Sequence, residues 1–499
     1  MRVRKHADRP ACPSTYVLIV LCFLGTFYCY WSVRSLVFPE MAYFYNMYGN
    51  SPRPTLHQVI SAYNILQPGW YRPTSFFLFP FLLGINYFNP AGVVFWNLVF
   101  FGLTGSLVPT LFLPRSDLPT RLLASCLILT APALVAVSYF PTIDSLYILF
   151  SLLFVRSFER MVTGDRKGKR SAAFLSIFWY LAALTSKETS ILLPVIAFLY
   201  TIINASDRHP QCSQLFRKAM VHCLPFVGLS GVYYVLYLVA RGAYANAVYA
   251  DIPTINKLPN ILKLLYATLN VHLPIFPGKD VPTAGYPLMG NMIWSAIWLL
   301  TAGGLWWRWE TIPVVKKMGF LFILTFLYLL SGMAGGHFHH VFPMMVCWAI
   351  LIGRLFSFPG EILRWQRWKW GIELAVIAGL LFSCRTYASE ILAVGEHGRV
   401  LQINTALFAD HQLAALAHRD DCYLLVESDP WDLGGTVGVL GYFGRSSHTE
   451  ARREEYVATI TPETIRHVAA RHPHKVIFGL FVRAEDHTYS IRRLWPLPH

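Results

Sequence analysis

Charged residues are scarce in this 499-residue chain, where Asp, Glu, Lys and Arg together make up 14%, against about 25% in soluble proteins. Acidic residues are the scarcer kind, with 27 against 42 basic residues. Hydrophobic residues reach 55% and the mean hydropathy is +0.43, which excludes soluble, coiled-coil and low-complexity classes. This composition predicts an integral membrane protein.

Three further features are missing. The nine cysteines lack metal-ligand spacing, so we interpret them as small buried hydrophobes. No repeat of about 20–50 residues is present, which excludes a tetratricopeptide array. The first apolar run follows a basic N-terminus and lacks a small-residue cleavage site, so we expect it to remain as a signal anchor with the N-terminus in the cytosol.

Apolar runs of about 20 residues are typical of membrane-spanning helices. Eleven spans are predicted, near 15–36, 91–113, 118–140, 143–158, 171–184, 189–203, 219–240, 289–307, 318–335, 341–358 and 370–384. With the N-terminus inside, the inward loops hold 22 Lys and Arg and the outward loops hold 7. This asymmetry supports the predicted topology, in which successive spans cross the membrane in alternating directions. It also explains the excess of basic over acidic residues, so no nucleic-acid partner is needed to account for that excess.

The segment 74–89 is the ambiguous part of this topology. It is apolar enough to count as a twelfth span, but a crossing there would turn every later basic loop outward. We therefore interpret it, together with Thr55–Leu66, as interfacial or re-entrant helices in a large first outer loop over residues 37–90. An ordinary span remains the alternative.

The chain changes character after Cys384. Residues 1–384 carry 30 basic and 13 acidic residues, whereas 385–499 carry 12 and 14. Two short apolar runs, Cys422–Glu427 and Lys475–Val482, are typical of strands. The predicted fold is a polytopic α-helical membrane protein of eleven transmembrane helices with a large first outer loop, in residues 1–384. A small C-terminal α/β domain in residues 385–499 follows on the outer face.

Ionisable residues interrupt the apolar sequence at two outward turns. Charged groups at membrane depth cost about 2.5–3.5 kcal/mol on insertion scales, so they usually face a cavity or each other. Lys187 and Glu188 lie near the middle of 171–203, and Asp144 follows Pro141. Alternatively, Lys187 and Glu188 form an ordinary neutral outer turn, and Asp144 is a helix N-terminal residue favoured by the dipole.

Two more groups are predicted at the same face. His337, His339 and His340 precede the tenth span and could bind phosphate, ligate a metal or mark a polar helix start, with metal the least favoured. Glu40 is the only acid in the first outer loop, and could instead be a solvated interfacial carboxylate. A carboxylate beside cations such as Arg72 suits general-base chemistry and binding of an anionic lipid headgroup.

Four short motifs resemble the polyprenyl-phosphate-sugar-dependent glycosyltransferases of the GT-C superfamily, and in particular protein O-mannosyltransferases and their bacterial relatives. The resemblance covers about residues 15–360 and is carried by Trp70–Pro73, Leu83–Gly92, Tyr139–Ser145 and Leu184–Thr189 with Leu193-Pro194.

The resemblance implies an integral-membrane hexosyl- or pentosyltransferase. Such an enzyme moves a sugar from a polyprenyl-phosphate-linked donor to a hydroxyl of a protein, lipid or glycan on the outer side, with inversion. It implies that Glu40 is the catalytic base. Because phosphate is the leaving group, cations must stabilise its negative charge; Arg72 and Lys187 suit that role, with His337, His339 or His340 as additional donors. Asp144 and Glu188 would orient these cations or bind a divalent ion, Mg²⁺ or Mn²⁺.

Two other functional classes are compatible with the sequence. One is a transporter or flippase for a lipid-linked saccharide, although no inverted halves are detected. The other is a non-catalytic membrane assembly subunit. The only Asn-x-Ser/Thr sequon, at Asn204, lies in a predicted cytosolic loop. We therefore expect the bacterial plasma (inner) membrane rather than the endoplasmic reticulum.

Overall fold

The membrane helices make up most of what can be described of this protein. The computed structural model describes residues 13–31, 74, 78, 90–114, 116–134, 144–164, 166–205, 212–242, 257–271, 286–310, 312–333, 338–357, 363–394, 406–407, 410–417, 419, 421–427, 454–457, 459–483 and 488–496. Of the first outer loop, Thr74 and Leu78 are described, and both are helical. The rest of segment 74–89, with its alternative as a twelfth span, lies outside the described residues.

A helix occupies each segment in which a span was predicted. The long helices are α1 (Pro13–Tyr30), α2 (Pro90–Phe112), α3 (Leu118–Leu129), α4 (Asp144–Thr163), α5 (Arg166–Leu184), α6 (Leu193–Ala205), α7 (Cys212–Gly242), α8 (Lys257–Leu269), α9 (Leu288–Arg308), α10 (Val314–Met333), α11 (Phe342–Phe356) and α12 (Leu363–Val394). In the described parts of the chain, 3₁₀ turns cover Pro132–Leu134, Glu188–Leu192 and Phe338–Val341. Helix α8 was not predicted, because it lies between two spans in a mixed polar and apolar stretch.

Among the described residues, four helices are long and apolar enough to cross a membrane alone. These segments are Val94–Phe112, Ser213–Leu236, Leu288–Trp307 and Trp368–Ser389. Shorter apolar helices cover Ser14–Tyr30, Leu118–Leu129, Thr189–Ala205 and Phe342–Phe356. The architecture is that of a mostly helical, integral membrane protein.

Helix α3 is shorter than its predicted span. It begins at an N-cap, where Asp117 accepts a hydrogen bond from the Thr120 amide at 3.0 Å. It ends at Leu129, ahead of Ala131 and Pro132. Proline has no N–H to donate and disfavours helical backbone at the preceding residue, so the helix cannot continue through 131–132.

Contacts between helices fix their relative directions. Arg121 donates to Ser14 Oγ at 2.8 Å near the starts of α3 and α1, and Tyr30 donates to the Leu129 carbonyl near their ends. Cys384 of α12 lies 3.1 Å from the Tyr30 hydroxyl. The three helices therefore run parallel, as the predicted alternation requires. We call the end at Tyr30, Leu129 and Cys384 the outer end and the opposite one the inner end, after the predicted topology.

A polar network joins α3 to α12 at the inner end. Lys369 Nζ contacts Asp117 Oδ2 at 2.9 Å and Thr120 Oγ1 at 2.8 Å, and Thr120 donates to the buried Glu373 at 2.7 Å. Burial pushes the pKa of Asp117 upward, but hydrogen bonds from Thr120, Lys369 and Trp370 outweigh it and hold that pKa below its usual range. The network keeps the starts of both helices together.

The C-terminal part contains a four-stranded sheet with the order β2-β1-β3-β4. Its strands are β1 (Cys422–Glu427), β2 (Glu454–Val457), β3 (Val476–Arg483) and β4 (Thr488–Trp495), with short helices α13 (His411–Ala417) and α14 (Pro462–Arg471). Strands β1, β2 and β3 are parallel, and β4 is antiparallel to β3. Helix α12 continues past Cys384 to Val394, so the proposed boundary at 384–385 falls within it.

Candidate functional site

A buried ion pair joins two turns at the outer end. Lys187 Nζ donates to Asp144 Oδ1, and their side chains are 7% and 6% exposed. Asp144 is the first residue of α4, where a carboxylate interacts favourably with the helix dipole. The structure therefore brings together two of the predicted site residues from loops 43 positions apart.

The turn that carries Lys187 is shaped by small hydroxyl residues. The hydroxyls of Thr185 and Ser186 donate to the carbonyls of Leu181 and Ala182, both at 2.6 Å. These two side chains therefore fold back onto the last turn of α5. Lys187 is extended, with φ −152° and ψ 133°. Such hydroxyls compete with regular helix geometry. The backbone consequently leaves the helix after Leu184 and is extended by Lys187.

Two neighbouring helices brace this arrangement. Ser230 of α7 donates to the Ile191 carbonyl at 2.9 Å and is hydrogen-bonded to the Tyr180 hydroxyl of α5. On the other side, Thr104 of α2 donates to the Ser145 carbonyl, beside Asp144, at 3.3 Å. Both turns are thus fixed to helices rather than left as free loops.

The first outer loop reaches the same place through Thr74. Its amide donates to the Thr185 carbonyl at 3.1 Å, and the two hydroxyls lie 2.6 Å apart. Thr74 follows Arg72 by two positions in the sequence. A described residue of the first outer loop is therefore docked two residues from Lys187.

Tyr147 belongs to the site although the sequence analysis did not select it. Its buried ring lies beneath Lys187 Nζ, with 5.8 Å between the nitrogen and the ring centroid. An ammonium over an aromatic face is stabilised by the ring quadrupole. Tyr147 is three residues after Asp144 and lies on the same helix face, so helical spacing alone could have identified it.

The remaining predicted site residues are only partly placed. Glu40, Arg72 and His337 lie outside the described residues. Glu188 begins the 3₁₀ turn after Lys187, and His339 lies in the turn Phe338–Val341; for both, the backbone alone is described. His340 lies in that same turn, which packs against Pro132–Leu134 and α8.

The described donor set does not suit a divalent metal. Among the residues that the structure describes, no three His, Cys, Asp or Glu side chains come together. Asp144 is already engaged by an ammonium group, which would repel a cation. The arrangement instead suits an anion, because the Lys187 ammonium has three N–H donors and Asp144 takes one.

Solved structures resemble this chain, although no protein-family model and no curated protein sequence matches it. ArnT from Cupriavidus metallidurans, in the apo state, matches with a TM-score of 0.53 and 10% identity, covering 94% of this chain and 93% of ArnT. The oligosaccharyltransferase of Archaeoglobus fulgidus, tethered with an acceptor peptide containing the NVT sequon, matches with a TM-score of 0.52 and 12% identity. The match covers 93% of this chain and 68% of the oligosaccharyltransferase. The chain has the GT-C fold.

A second ArnT structure supports the same fold. ArnT bound to undecaprenyl phosphate matches with a TM-score of 0.51 and 10% identity, covering 95% of this chain and 93% of ArnT. The GT-C similarity thus extends over nearly the whole chain, including residues on both sides of Cys384. The resemblance carried by the four short sequence motifs is confirmed at the level of the fold.

Proposed function

We propose that this protein is an integral-membrane glycosyltransferase with a polyprenyl-phosphate-linked sugar donor. It transfers the sugar, a hexose or pentose, to a hydroxyl of a protein, lipid or glycan on the outer side, and inverts the anomeric centre. The observation that carries the proposal is the buried Asp144–Lys187 pair, together with the contact of Thr74 with Thr185 two residues before Lys187, at one end of a GT-C fold. The complex of ArnT with undecaprenyl phosphate supports the choice of donor.

Lys187 is proposed to hold the donor phosphate. A cation in a site with little water interacts with phosphate more strongly than one in bulk solvent. Asp144 then acts as a positioning residue, since it fixes the Lys187 ammonium through one hydrogen bond and leaves two donors. This role for Asp144 is favoured over metal binding because its carboxylate is already paired.

Arg72 is proposed as the second phosphate ligand. Consecutive Cα atoms are about 3.8 Å apart, so the docking of Thr74 on Thr185 limits how far Arg72 can be from the turn. Arg can grip two phosphate oxygens, whereas Lys acts as a point charge. His337, His339 and His340 are proposed as additional donors, and Glu188 as a residue that orients the cations.

Glu40 is proposed as the general base. In a single displacement, the acceptor hydroxyl oxygen attacks the anomeric carbon and its proton passes to the Glu40 carboxylate. The bond between that carbon and the phosphate oxygen breaks, and polyprenyl phosphate leaves with both bonding electrons. Lys187 and Arg72 stabilise the negative charge on the departing phosphate. A positioned base of this kind contributes about 10²–10⁴-fold to the rate.

The membrane location is proposed from the same features. Asn204, the residue of the only sequon, donates to the buried Glu159 in the described structure and is thus held by packing at the end of α6. We place the protein in a bacterial plasma membrane because its only sequon is predicted on the cytosolic side, and the Lys and Arg distribution puts the N-terminus in the cytosol and the C-terminal sheet outside.

An assay of donor consumption tests the proposal. Native membranes from cells that overproduce the protein, which supply the acceptor, are incubated with a polyprenyl-phosphate sugar. Release of free polyprenyl phosphate, in step with incorporation of sugar, is expected. A flippase would instead move the intact donor across the membrane, and an assembly subunit would do neither; either result would refute the proposal.

A further inference from the structure

Cations from two helices meet at the inner end of the bundle. Lys169 lies in the first turn of α5, Lys218 lies near the start of α7, and His222 follows Lys218 by one helical turn. The two helices contact each other, and both lysines lie near their starts, so the basic side chains of the two helices are gathered at one end of the pair. All three side chains are partly buried.

Like charges held together in this way are unfavourable unless an anion joins them. Arg170 and Arg217 add two exposed guanidinium groups on the same two helix ends. The cluster therefore presents concentrated positive charge.

Apolar side chains continue from the cluster along both helices. Phe174 and Phe178 of α5 are 70% and 52% exposed, and Val221 and Leu224 of α7 are 57% and 59% exposed. These positions are about one to two and a half helical turns further from the inner end than the lysines. Cations at the edge of an exposed apolar surface are suited to a molecule with an anionic head and apolar chains.

The two helices begin at the same side of the membrane. The Tyr180 hydroxyl of α5 is hydrogen-bonded to Ser230 of α7, and the Tyr180 and Phe226 rings are 5.4 Å apart. Because Tyr180 and Ser230 each lie about three turns beyond the lysines, the helices run parallel. The Lys and Arg distribution predicts that this side is cytosolic, where basic pockets between helices bind anionic lipids.

We propose that Lys169, Lys218 and His222 bind the phosphate headgroup of an anionic phospholipid of the cytosolic leaflet. The acyl chains lie along the exposed apolar residues of α5 and α7. This site is separate from the Asp144–Lys187 pair and does not depend on the proposed transferase activity. Its occupant neutralises the repulsion between the lysines and holds the starts of α5 and α7 together.

Native mass spectrometry of the delipidated full-length protein tests this site. Phosphatidylglycerol or phosphatidylcholine is titrated in detergent, with Lys169→Gln/Lys218→Gln as the test variant. Lys316→Gln/Lys317→Gln removes two other inward lysines as a matched control. Each lysine at an anionic surface contributes about 1 kcal/mol, so the test variant should bind phosphatidylglycerol about 30-fold more weakly. The control should bind it as the wild type does.

Either of two results with the wild type and the glutamine variant would overturn the proposal. One is equal affinity of the wild type for phosphatidylglycerol and phosphatidylcholine. The other is unchanged phosphatidylglycerol binding in the test variant. If the glutamine variant does not fold, Lys169→Arg/Lys218→Arg serves in its place, and loss of phosphatidylglycerol binding despite the retained charge would count equally against the proposal. The wild-type preference for phosphatidylglycerol is measurable without any variant.

Discussion

Lys187 and Asp144 form an ion pair across 43 positions of sequence, with both side chains more than nine-tenths buried. Burial of two charges is costly, and it is tolerated because each charge satisfies the other. The pair also connects the start of α4 to the turn after α5, and Thr74 of the first outer loop is docked on that same turn. Loops far apart in sequence thus meet at one place.

The pair should contribute to stability as a unit. Asp144→Leu and Lys187→Met alone should each destabilise the protein by about 3–5 kcal/mol, because the partner is left buried and uncompensated, while the double variant should recover most of the loss. Thermal unfolding in detergent of the wild type, the two single variants and the double variant measures this coupling as a double-mutant cycle. The exposed pair Arg419–Asp421 is the control, and removing either member should change the unfolding temperature little. Additive losses at Asp144 and Lys187 would disprove the coupling.

Lys187→Ala should weaken use of the donor more than use of the acceptor. The lysine is proposed to contact the donor phosphate, so the KM for donor should rise while the KM for acceptor changes little. Steady-state kinetics with each substrate varied in turn separates the two. Lys263→Ala, in α8, removes another outward lysine as the control. Equal effects on both substrates would point to a role in folding.

Thr74→Val should impair transfer with little effect on insertion. The substitution removes the hydroxyl contact to Thr185 but keeps the backbone hydrogen bond. A hydrogen bond contributes about 1 kcal/mol, so kcat/KM should fall about fivefold if docking of the loop positions the site. Thr386→Val is the control, since that hydroxyl bonds within its own helix. An unchanged kcat/KM in Thr74→Val would show that this contact does not position the site.

Gly105→Ala should destabilise the contact between α2 and α3. A Cβ at Gly105 would lie 2.8–3.0 Å from three side-chain atoms of the buried Leu129, and overpacking of this kind costs about 1–3 kcal/mol. Gly231→Ala is the matched control, because its Cβ would meet nothing within 4 Å. Alanine there should stabilise α7 by up to about 1 kcal/mol. Thermal unfolding distinguishes the two, and equal shifts would contradict the packing argument.

The length of the apolar runs was enough to predict where most of the long helices lie, because a helix that faces lipid needs a continuous apolar sequence whatever its tertiary contacts. It failed at the end of α3, where Pro132 stops the helix within a run that stays apolar. It also missed α8, whose buried Leu264 and Ala267 alternate with exposed Leu262 and Leu265. Helix boundaries such as these depend on individual residues and on which face is buried, and average hydropathy is insensitive to both.

The candidate site was harder to predict than the fold. Sequence showed that Asp144 and Lys187 were unusual at membrane depth, but no local rule sets a contact across 43 positions. Tyr147 could have been found from its helical spacing to Asp144. The docking of Thr74 on Thr185 could not, because two threonines in polar turns carry no distinguishing pattern. In the C-terminal sheet, β4 was missed because Arg492 and Arg493 break its apolar alternation.

The most direct measurement compares the wild type with Glu40→Gln in native membranes supplied with a polyprenyl-phosphate sugar. The wild type should release polyprenyl phosphate as sugar reaches the acceptor. Glu40→Gln should insert into the membrane to the same level and release none, because an amide cannot accept the hydroxyl proton. Full release by Glu40→Gln would remove Glu40 as the base, and no release by the wild type would contradict the transferase itself.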